Sequence, residues 1–326
     1  MKRILCAALL ALLLLGLFGC GSEPEPIPGW PVTVGGVTLA HSPRRVVSLS
    51  PALTETMVML GYGGRLVGVS EQCELPAGAA VPARCGSLLL PDTDGILALG
   101  PELVLTSAAL PKQTADALSA AGVAVLTVRW ADDLEGVYQN YGLLCRAFEG
   151  ELTGAQRERE LRFFGTAMLD DLAGSIEAAT RPPDAPKSII WLRGMPLRMA
   201  TGDTIEGRWL EQLGLTNQGG PYTGWQYPPE AEPELNPELV LLDAGISEKE
   251  FAGHDYYRRT SAVKKQRIVS VDSLPFERQS PRMFFELRRA MSALFPGAVS
   301  DALPALTLEM QPPPPPAPKR WWEKLF

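Results

Sequence analysis

Two runs of alternating strand and helix patterns, separated by a long stretch without strands, constrain the fold of this chain most strongly. The first run covers residues 44–130 and begins with the apolar strand RRVVSLS. From about Asp132 to Ala179 only helical patterns occur, and the alternation restarts at KSIIWL. Such alternation predicts parallel sheets with helices on their faces. The sequence therefore predicts an α/β protein with two Rossmann-like lobes, mostly parallel sheets, and one long rigid α-helix joining them.

Local signals mark where individual elements begin and end. Ser50 followed by Pro51 predicts a helix N-cap with proline at the first helical position, and Gly61 ends that helix. A second Ser-Pro step, Ser280-Pro281, predicts the start of the last helix. The segment VTVGGVTL predicts a hairpin about a Gly-Gly turn. The linking region predicts two helices, DLEGVYQNYGLLCRAF and a longer one with an apolar stripe.

The N-terminus is typical of a targeting segment. Lys2 and Arg3 precede the apolar run ILCAALLALLLLGLF, which suits a secretory signal and is short for a membrane span. Gly19 before Cys20 resembles the lipobox of bacterial lipoproteins, so we expect cleavage after residue 19 and lipid attachment at Cys20. An uncleaved anchor is the alternative. Either way, the folded part is expected outside the cytoplasm and attached to a membrane.

These patterns divide the chain into six segments. GSEPEPIPG has the polar, Pro-rich composition of a tether, and PPPPPAP opens a Pro-rich tail. The tail ends in KRWWEKLF, a composition compatible with a bilayer interface or with disorder. The expected segments are a signal peptide 1–19, a tether 20–30, an N-terminal α/β lobe 31–150, an interlobe helix 151–180, a C-terminal α/β lobe 185–302 and the tail 303–326.

Composition argues against several classes of function. The net charge of −7 makes nucleic acid an improbable partner. The two histidines, His41 and His254, lie in polar contexts, and no G-x-S-x-G motif occurs, so a Ser-His-Asp site and a His-rich metal site are not expected. GYGG closes a helix and lacks the Lys-Ser/Thr of a phosphate loop. We therefore expect neither catalysis nor a bound metal.

Three cysteines remain after the signal segment and Cys20. Cys73 and Cys85 flank a short loop, and in an oxidising compartment this spacing predicts a local disulfide. Metal binding is a weaker alternative for the pair, because no His or paired Cys completes a site. Cys145 lies in an apolar helical pattern, which predicts a buried thiol.

Several segments, taken in order, resemble the substrate-binding proteins of ABC importers that serve vitamin B12, siderophores and haem. They are RRVVSLSPALTETMVMLGYGGRLVGVS with ILALGPELVLTS, then ELNPELVLLD, then FERQSPRMFFELRRAMSALFP. The resemblance covers roughly residues 30–297 and is nearest to the vitamin B12-binding type. It implies two lobes bridged by a stiff helix, a ligand held between them, and modest closure.

The resemblance implies a binding protein that passes its ligand to an ABC permease and its ATPase. With the lipobox at Cys20, the protein is expected to be lipid-anchored, and it is expected to be a monomer. The expected ligand is a corrinoid such as cobalamin, with haem or a ferric siderophore as alternatives, and no catalytic cofactor is expected. A non-transport envelope sensor or scaffold of the same fold is a second interpretation. An enzyme that adopted the two lobes is a third.

The resemblance also implies particular ligand contacts. FER-x-SPR matches the vitamin B12-binding type and implies ligand contact for Arg278 and Phe276. Arg282 has an alternative structural role, pairing with Glu286 at i+4. Leu88 stands where the vitamin B12-binding type has a tryptophan, so the first lobe is expected to offer an aliphatic wall there.

Aromatic side chains are further candidates for the cleft. A corrin ring is a large, largely apolar disc edged with amides, and aromatic walls would bury its faces. The loop GGPYTGWQYPPE is Gly-, Pro- and aromatic-rich and is expected to be exposed. Trp191 ends a predicted strand, so a place in the core is its alternative. The aromatic candidates are Trp191, Tyr222, Trp225 and Tyr227.

One carboxylate on each lobe is expected to dock on the permease. In the resembled family such carboxylates meet arginines of the permease, and the matching positions here are Asp94 and Glu230. Two acids far apart on rigid lobes suit steering and registration of a basic partner. The alternative is an ordinary acidic residue at a helix N-terminus, favoured by the helix dipole.

Overall fold

A computed structural model of the chain describes residues 28–75 and 82–300. The predicted signal peptide, the lipid attachment at Cys20, most of the tether and the tail 303–326 lie outside these residues. Within the two described ranges, no helix combines the length and the hydrophobicity needed to cross a bilayer.

An antiparallel hairpin precedes the first lobe. It consists of β1 (Val32–Val34) and β2 (Val37–Leu39). Gly35 and Gly36 have φ values of 55° and 79°, the positive values that both central residues of a type I′ turn require. The predicted hairpin over VTVGGVTL is therefore confirmed.

The first lobe contains a five-stranded, wholly parallel sheet. Its strands are β3 (Val46–Ser48), β4 (Leu66–Val69), β5 (Ala83–Arg84), β6 (Leu103–Thr106) and β7 (Ala124–Thr127). Their order across the sheet is β5-β4-β3-β6-β7. The central strands β3 and β6 are buried along their whole length, as helices on both faces of a parallel sheet require.

Three helices cover this sheet: α1 (Pro51–Met59), α2 (Thr93–Ala98) and α3 (Lys112–Ala120). The hydroxyl of Ser50 accepts a hydrogen bond from the Leu53 amide, as the Ser-Pro signal predicts.

A long helical segment, α4 (Leu134–Ala179), leads from the first lobe to the second. It is interrupted at Gly150, whose φ of 81° and ψ of 175° lie outside the helical region. Two helices therefore meet at a kink there, close to the boundary predicted between the two helical patterns. The amide of Glu151 donates to the carbonyl of Gly29 at 3.0 Å, so the segment before β1 fills the bend.

The second lobe repeats the architecture of the first. Its strands are β8 (Ser188–Gly194), β9 (Arg198–Met199), β10 (Thr216–Asn217), β11 (Leu239–Asp243) and β12 (Ile268–Val271). The parallel order is β10-β8-β11-β12, with β9 antiparallel to β8. The helices are α5 (Ile205–Gln212), α6 (Glu248–Gly253), α7 (Ser261–Lys264), α8 (Leu274–Glu277) and α9 (Arg282–Leu294). The helix predicted over YYRRTSAVKK is confined to α7.

One continuous apolar cluster runs through both lobes and the long helix. It includes Val46 of the first sheet, Met168 of α4 and Trp191 of the second sheet. Phe284 of α9 stacks on Tyr138 of α4, with ring centroids 6.1 Å apart. Shared packing of this kind holds both lobes to the helix. The predicted class, two mostly parallel α/β lobes joined by a long helix, is confirmed.

Candidate ligand-binding site

A cleft of about 450 Å³ lies between the two lobes. Its first-lobe wall comes from the loop between β7 and α4, and its second-lobe wall comes from the ends of β8 and β9, the start of α5, the loop after β10 and the segment after β12. The segments after β7, β8, β10 and β12 leave the carboxyl ends of parallel strands, where α/β sheets bind ligands. The lining residues that carry charge or an aromatic ring are Trp130, Asp132, Arg193, Arg198, Asp203, Glu206, Trp225, Phe276 and Glu277.

Ion pairs between the lobes lie beside this cleft. Glu55 of α1 accepts hydrogen bonds from the guanidinium of Arg278 at 2.7 Å and from that of Arg282 at 2.9 Å. The hydroxyl of Ser280 donates to the same carboxylate at 2.7 Å. Arg278 also reaches Glu74 at 3.4 Å. The FERQSPR segment therefore ties the second lobe to the first through one carboxylate.

The pKa of Glu55 reflects this arrangement. Burial of the carboxyl raises its pKa, but the hydrogen bonds from Arg278 and Ser280 and the charge of Arg282 outweigh burial. The pKa therefore lies below the usual value of a glutamate, and the carboxyl is ionised at neutral pH.

Hydrogen bonds between the Gln279 side chain and the Ala131 backbone reinforce the contact between the lobes. The side-chain amide of Gln279 donates to the carbonyl of Ala131 at 2.7 Å and accepts from the Ala131 amide at 2.9 Å. The hydroxyl of Tyr141 donates to the Gln279 carbonyl at 2.7 Å. Gln279 has a φ of 48°, an uncommon conformation for a non-glycine residue, and these hydrogen bonds stabilise it.

Arg193, at the end of β8, organises the second-lobe wall. Its side chain is 5% exposed and donates to Glu206 at 2.9 Å and to Glu277, and its Nε lies 3.6 Å from Asp243. Burial raises the pKa of Glu206, and the nearby negative charge of Glu277 raises it further. The positive charge of Arg193 lowers it, but not enough to cancel these effects. The buried guanidinium of Arg193 therefore interacts with three carboxylates.

Trp225 lies over this guanidinium, with the Arg193 carbon 5.1 Å from the ring centroid. The Trp225 amide donates to the Thr201 hydroxyl at 3.1 Å, and the neighbouring Gly224 amide donates to Asp203. Trp225 has a φ of 63°, so these bonds hold its backbone in the left-handed region. The predicted loop tryptophan thus lines the cleft in a fixed position.

Two other aromatic candidates for ligand contact, Trp191 and Phe276, are largely or wholly buried. Trp191 is fully buried, with its ring edge-on to Phe276 at 4.7 Å, so it belongs to the core and cannot line the cleft. Phe276 is 6% exposed and offers only an edge to the cleft. The strand of Trp191 is covered on both faces, so Trp191 is a core residue, which is the alternative given for it from the sequence.

The two tyrosines of the GGPYTGWQYPPE loop differ in exposure, because Tyr227 is buried and Tyr222 is partly exposed. Tyr227 is 5% exposed, packs on Tyr222 at 4.9 Å and donates to the Ala231 carbonyl. Neither tyrosine lines the cleft. Both pack in an apolar cluster of the second lobe, so the structure does not bring Tyr222 or Tyr227, the predicted ligand contacts, to the cleft.

Leu88 likewise lies away from the cleft and packs on the first lobe's apolar cluster. Arg278 lines a small cavity of about 30 Å³ beside the cleft, and its guanidinium is held by Glu55 and Glu74. Arg282 pairs with Glu55 and Asp272, and not with Glu286, the partner considered in its alternative structural role.

The predicted disulfide between Cys73 and Cys85 does not form. Both are buried free thiols, and the sulfur of Cys73 lies 3.1 Å from the hydroxyls of Thr54 and Ser70. Cys145 is buried as predicted, and burial raises the pKa of its thiol to about 12. Among the described residues, no group of three or more His, Cys, Asp or Glu side chains is placed to hold a metal ion.

The predicted docking carboxylates are both exposed. Asp94 lies in the first turn of α2, and Glu230 lies in the first turn of a 3₁₀ helix, Pro229–Glu234. Within residues 28–75 and 82–300, neither carboxylate forms an ion pair.

Sequence reasoning missed the residues that join the two lobes. Glu55 is the one charged residue in the helical segment PALTETMVML, and a charge on a largely buried helix is a signal of a specific partner. Trp130 follows directly after the β7 strand pattern VAVLTVR, the end of a parallel strand where ligands bind. Gln279 carries no comparable signal, because its role depends on the backbone of Ala131.

No family model matches the chain. Over 320 residues, 92% of this chain and 99% of its relative, it is 29% identical to an ABC transporter substrate-binding lipoprotein of Bacillus subtilis, YvrC. The chain is a homologue of ABC transporter substrate-binding proteins. It is also 26% identical to a cobalamin-binding protein of Halobacterium salinarum over 79% of this chain and 71% of that protein.

A solved structure supports the same assignment at the level of the fold. The periplasmic haem-binding protein HutB of Vibrio cholerae has a TM-score of 0.61 at 22% identity, covering 77% of this chain and 99% of HutB. The family resemblance found in the sequence is confirmed. The prediction that the chain is a binding protein of the ABC-importer type and not an enzyme is confirmed by these relatives.

Proposed function

We propose that this protein binds a corrinoid in the cleft between its lobes and delivers it to an ABC permease. The observation that carries the proposal is the set of side chains that line the cleft. Among the described residues, that lining contains no histidine, cysteine, methionine or tyrosine. Haem iron in proteins is held by one of these four side chains. A corrinoid can carry its own axial ligands on cobalt. The protein then needs to supply only contacts to the faces of the ring and polar contacts to its edge.

The charge of the lining supports the same choice. Two arginines, Arg193 and Arg198, face four carboxylic acids, Asp132, Asp203, Glu206 and Glu277. Haem carries two propionates and many ferric siderophores are anionic, so both would meet a site with excess negative charge. The amide-edged corrin ring avoids that repulsion. The cobalamin-binding relative is consistent with this class of ligand.

The size of the site suits a large ligand. A second cavity of about 540 Å³ lies on the first-lobe side and shares Trp130, Ala131 and Asp132 with the cleft. The two together offer the extended, partly open surface that a bulky chelate needs.

The experiment is a titration of purified protein with cyanocobalamin, haemin and a ferric tricatecholate. We expect a one-to-one complex with cyanocobalamin, detected by equilibrium dialysis and a shift in its visible spectrum, and no saturable binding of the other two. Saturable binding of haemin in preference to cyanocobalamin would contradict the proposal.

We also propose that Asp94 and Glu230 dock on the permease and that Cys20 carries the lipid. Reversal of either charge, Asp94→Lys or Glu230→Lys, should abolish ligand uptake by cells and leave ligand affinity unchanged. Normal uptake by the double variant would favour a sensor or scaffold role. Cys20→Ser should release the protein from the membrane fraction.

A further inference from the structure

Trp130 is the most exposed aromatic residue at the cleft. Its side chain is 54% exposed, although an indole is among the largest apolar side chains. Trp130 lines the interlobe cleft, the cavity of about 540 Å³ on the first lobe and the small cavity of about 30 Å³ beside them. Among the described residues, no other one lines all three, so this side chain lies where the cavities meet.

The Trp130 indole is held in place from the opposite lobe. Its Nε1–H donates to the carbonyl of Glu277 at 2.8 Å. The adjacent Ala131 is paired through both backbone groups with the Gln279 amide. Because the ring is already ordered, a ligand that stacks on it loses little conformational entropy of the protein.

A chain of contacts connects Trp130 to Trp225 across the cleft. The carbonyl of Glu277 accepts from Trp130, and its carboxylate pairs with Arg193. The Arg193 guanidinium in turn lies over the Trp225 ring. Glu277 and Arg193 therefore act as positioning residues that fix one indole relative to the other.

We infer that Trp130 is the first-lobe ligand-contact residue and that, with Trp225, it forms a fixed pair of aromatic walls for a flat conjugated chelate. This inference rests on the proposed function and adds a residue to it. It also explains how the first lobe offers an aromatic surface although Leu88 packs away from the cleft. The aromatic wall comes from the loop after β7 instead of the loop after β5.

The test compares Trp130→Ala and Trp130→Phe with a matched control, Phe163→Ala. Phe163 is an exposed aromatic residue of α4, 60% exposed, and it lines none of these cavities. Affinity for cyanocobalamin, haemin and the ferric tricatecholate is measured by equilibrium dialysis on the full-length folded variants, with thermal unfolding as a check.

We expect Trp130→Ala to weaken cyanocobalamin binding by about 10- to 100-fold, the range that loss of one buried aromatic surface gives. Trp130→Phe keeps a ring but loses the N–H, so it should retain most of the affinity. If Trp130 served only to join the lobes through its N–H, the two variants would be equally impaired, and that result would overturn the inference. Phe163→Ala should bind like the unmodified protein.

The outcomes separate this inference from the proposed function. Equal cyanocobalamin affinity of Trp130→Ala and the unmodified protein would overturn the inference alone. Tight haemin binding that Trp130→Ala weakens would contradict the corrinoid proposal and support the aromatic wall. Binding of none of the three chelates by the unmodified protein would overturn both.

Discussion

Glu55 of the first lobe and Arg278 of the second are joined by a 2.7 Å salt bridge, with the two side chains 12% and 13% exposed. The bridge lies beside the cleft, and Ser280 and Arg282 converge on the same carboxylate. Ion pairs with this degree of burial are costly to break on one side, because the remaining charges lose their partner. The relationship therefore links the stability of the whole molecule to the geometry of the cleft.

Glu55→Ala should lower the free energy of unfolding by about 3 kcal/mol, since two arginines lose their shared carboxylate. The measurement is urea denaturation followed by circular dichroism. Asp116→Asn is the control, because Asp116 forms an exposed pair with Lys112, and loss of an exposed pair costs less than about 1 kcal/mol. Equal effects of the two substitutions would contradict the role given to Glu55.

The same carboxyl predicts a dependence of stability on pH. Its folded pKa lies below that of the unfolded chain, so its stabilising effect is complete above the unfolded pKa, about 4.3. The effect is lost as the pH falls through the folded pKa. Glu55→Gln should therefore flatten the loss of unfolding free energy below about pH 4.3. Parallel acid profiles of the two proteins would refute this.

Ionisation of Glu206 should have the opposite effect on stability. Burial raises its pKa above the unfolded value, so its ionisation costs stability as the pH rises through the folded pKa. Glu206→Gln should therefore become relatively more stable than the unmodified protein as the pH rises from acidic to neutral. Denaturation at a series of pH values measures this, and a relative loss of stability at neutral pH would show that Arg193 outweighs burial.

Substitution of Trp191 should mainly lower the stability of the protein, and substitution of Trp225 should mainly weaken ligand binding. Trp191→Ala removes a fully buried indole and should lower the free energy of unfolding by about 3–5 kcal/mol. Trp225→Ala loses mainly its contact with Arg193, about 1 kcal/mol, but should weaken cyanocobalamin binding at least tenfold. Trp191→Phe, which keeps an apolar ring, should bind normally. Impaired binding by that variant in a folded protein would return Trp191 to the site.

The kink of α4 depends on Gly150. An added Cβ there would lie 2.9 Å from the Gly29 carbonyl oxygen and 2.9 Å from Trp30 Nε1, at a φ of 81°. Gly150→Ala should therefore lower the free energy of unfolding by about 2 kcal/mol. Gly174, in the same helical segment, has open space at its Cβ position, so Gly174→Ala should stabilise by about 0.5–1 kcal/mol. Thermal unfolding of both variants decides the matter.

The sequence predicts the lobes well because alternation of strands and helices is a local pattern. Ser50-Pro51 starts α1, and Gly35-Gly36 turns the hairpin, since each depends on neighbouring backbone groups. The second Ser-Pro step shows the limit of such signals. Ser280 makes no N-cap bond for α9 and donates to Glu55, 225 positions away in the sequence.

The site was less predictable because burial and partners depend on tertiary contacts. Trp191 and Trp225 are the same residue type, yet one fills the core and the other lines the cleft. Nothing near Cys73 in the sequence shows that its thiol meets the Thr54 hydroxyl instead of Cys85. Trp130 could have been found by position alone, because it follows the carboxyl end of a predicted parallel strand.

The most direct test of the account is a crystal structure of the protein grown with cyanocobalamin. We predict one corrin ring in the interlobe cleft, with its faces or edges against the indoles of Trp130 and Trp225 and no side chain coordinated to cobalt. Density for the corrinoid outside the cleft, or a cleft that stays empty of ligand at saturating concentration, would contradict the account.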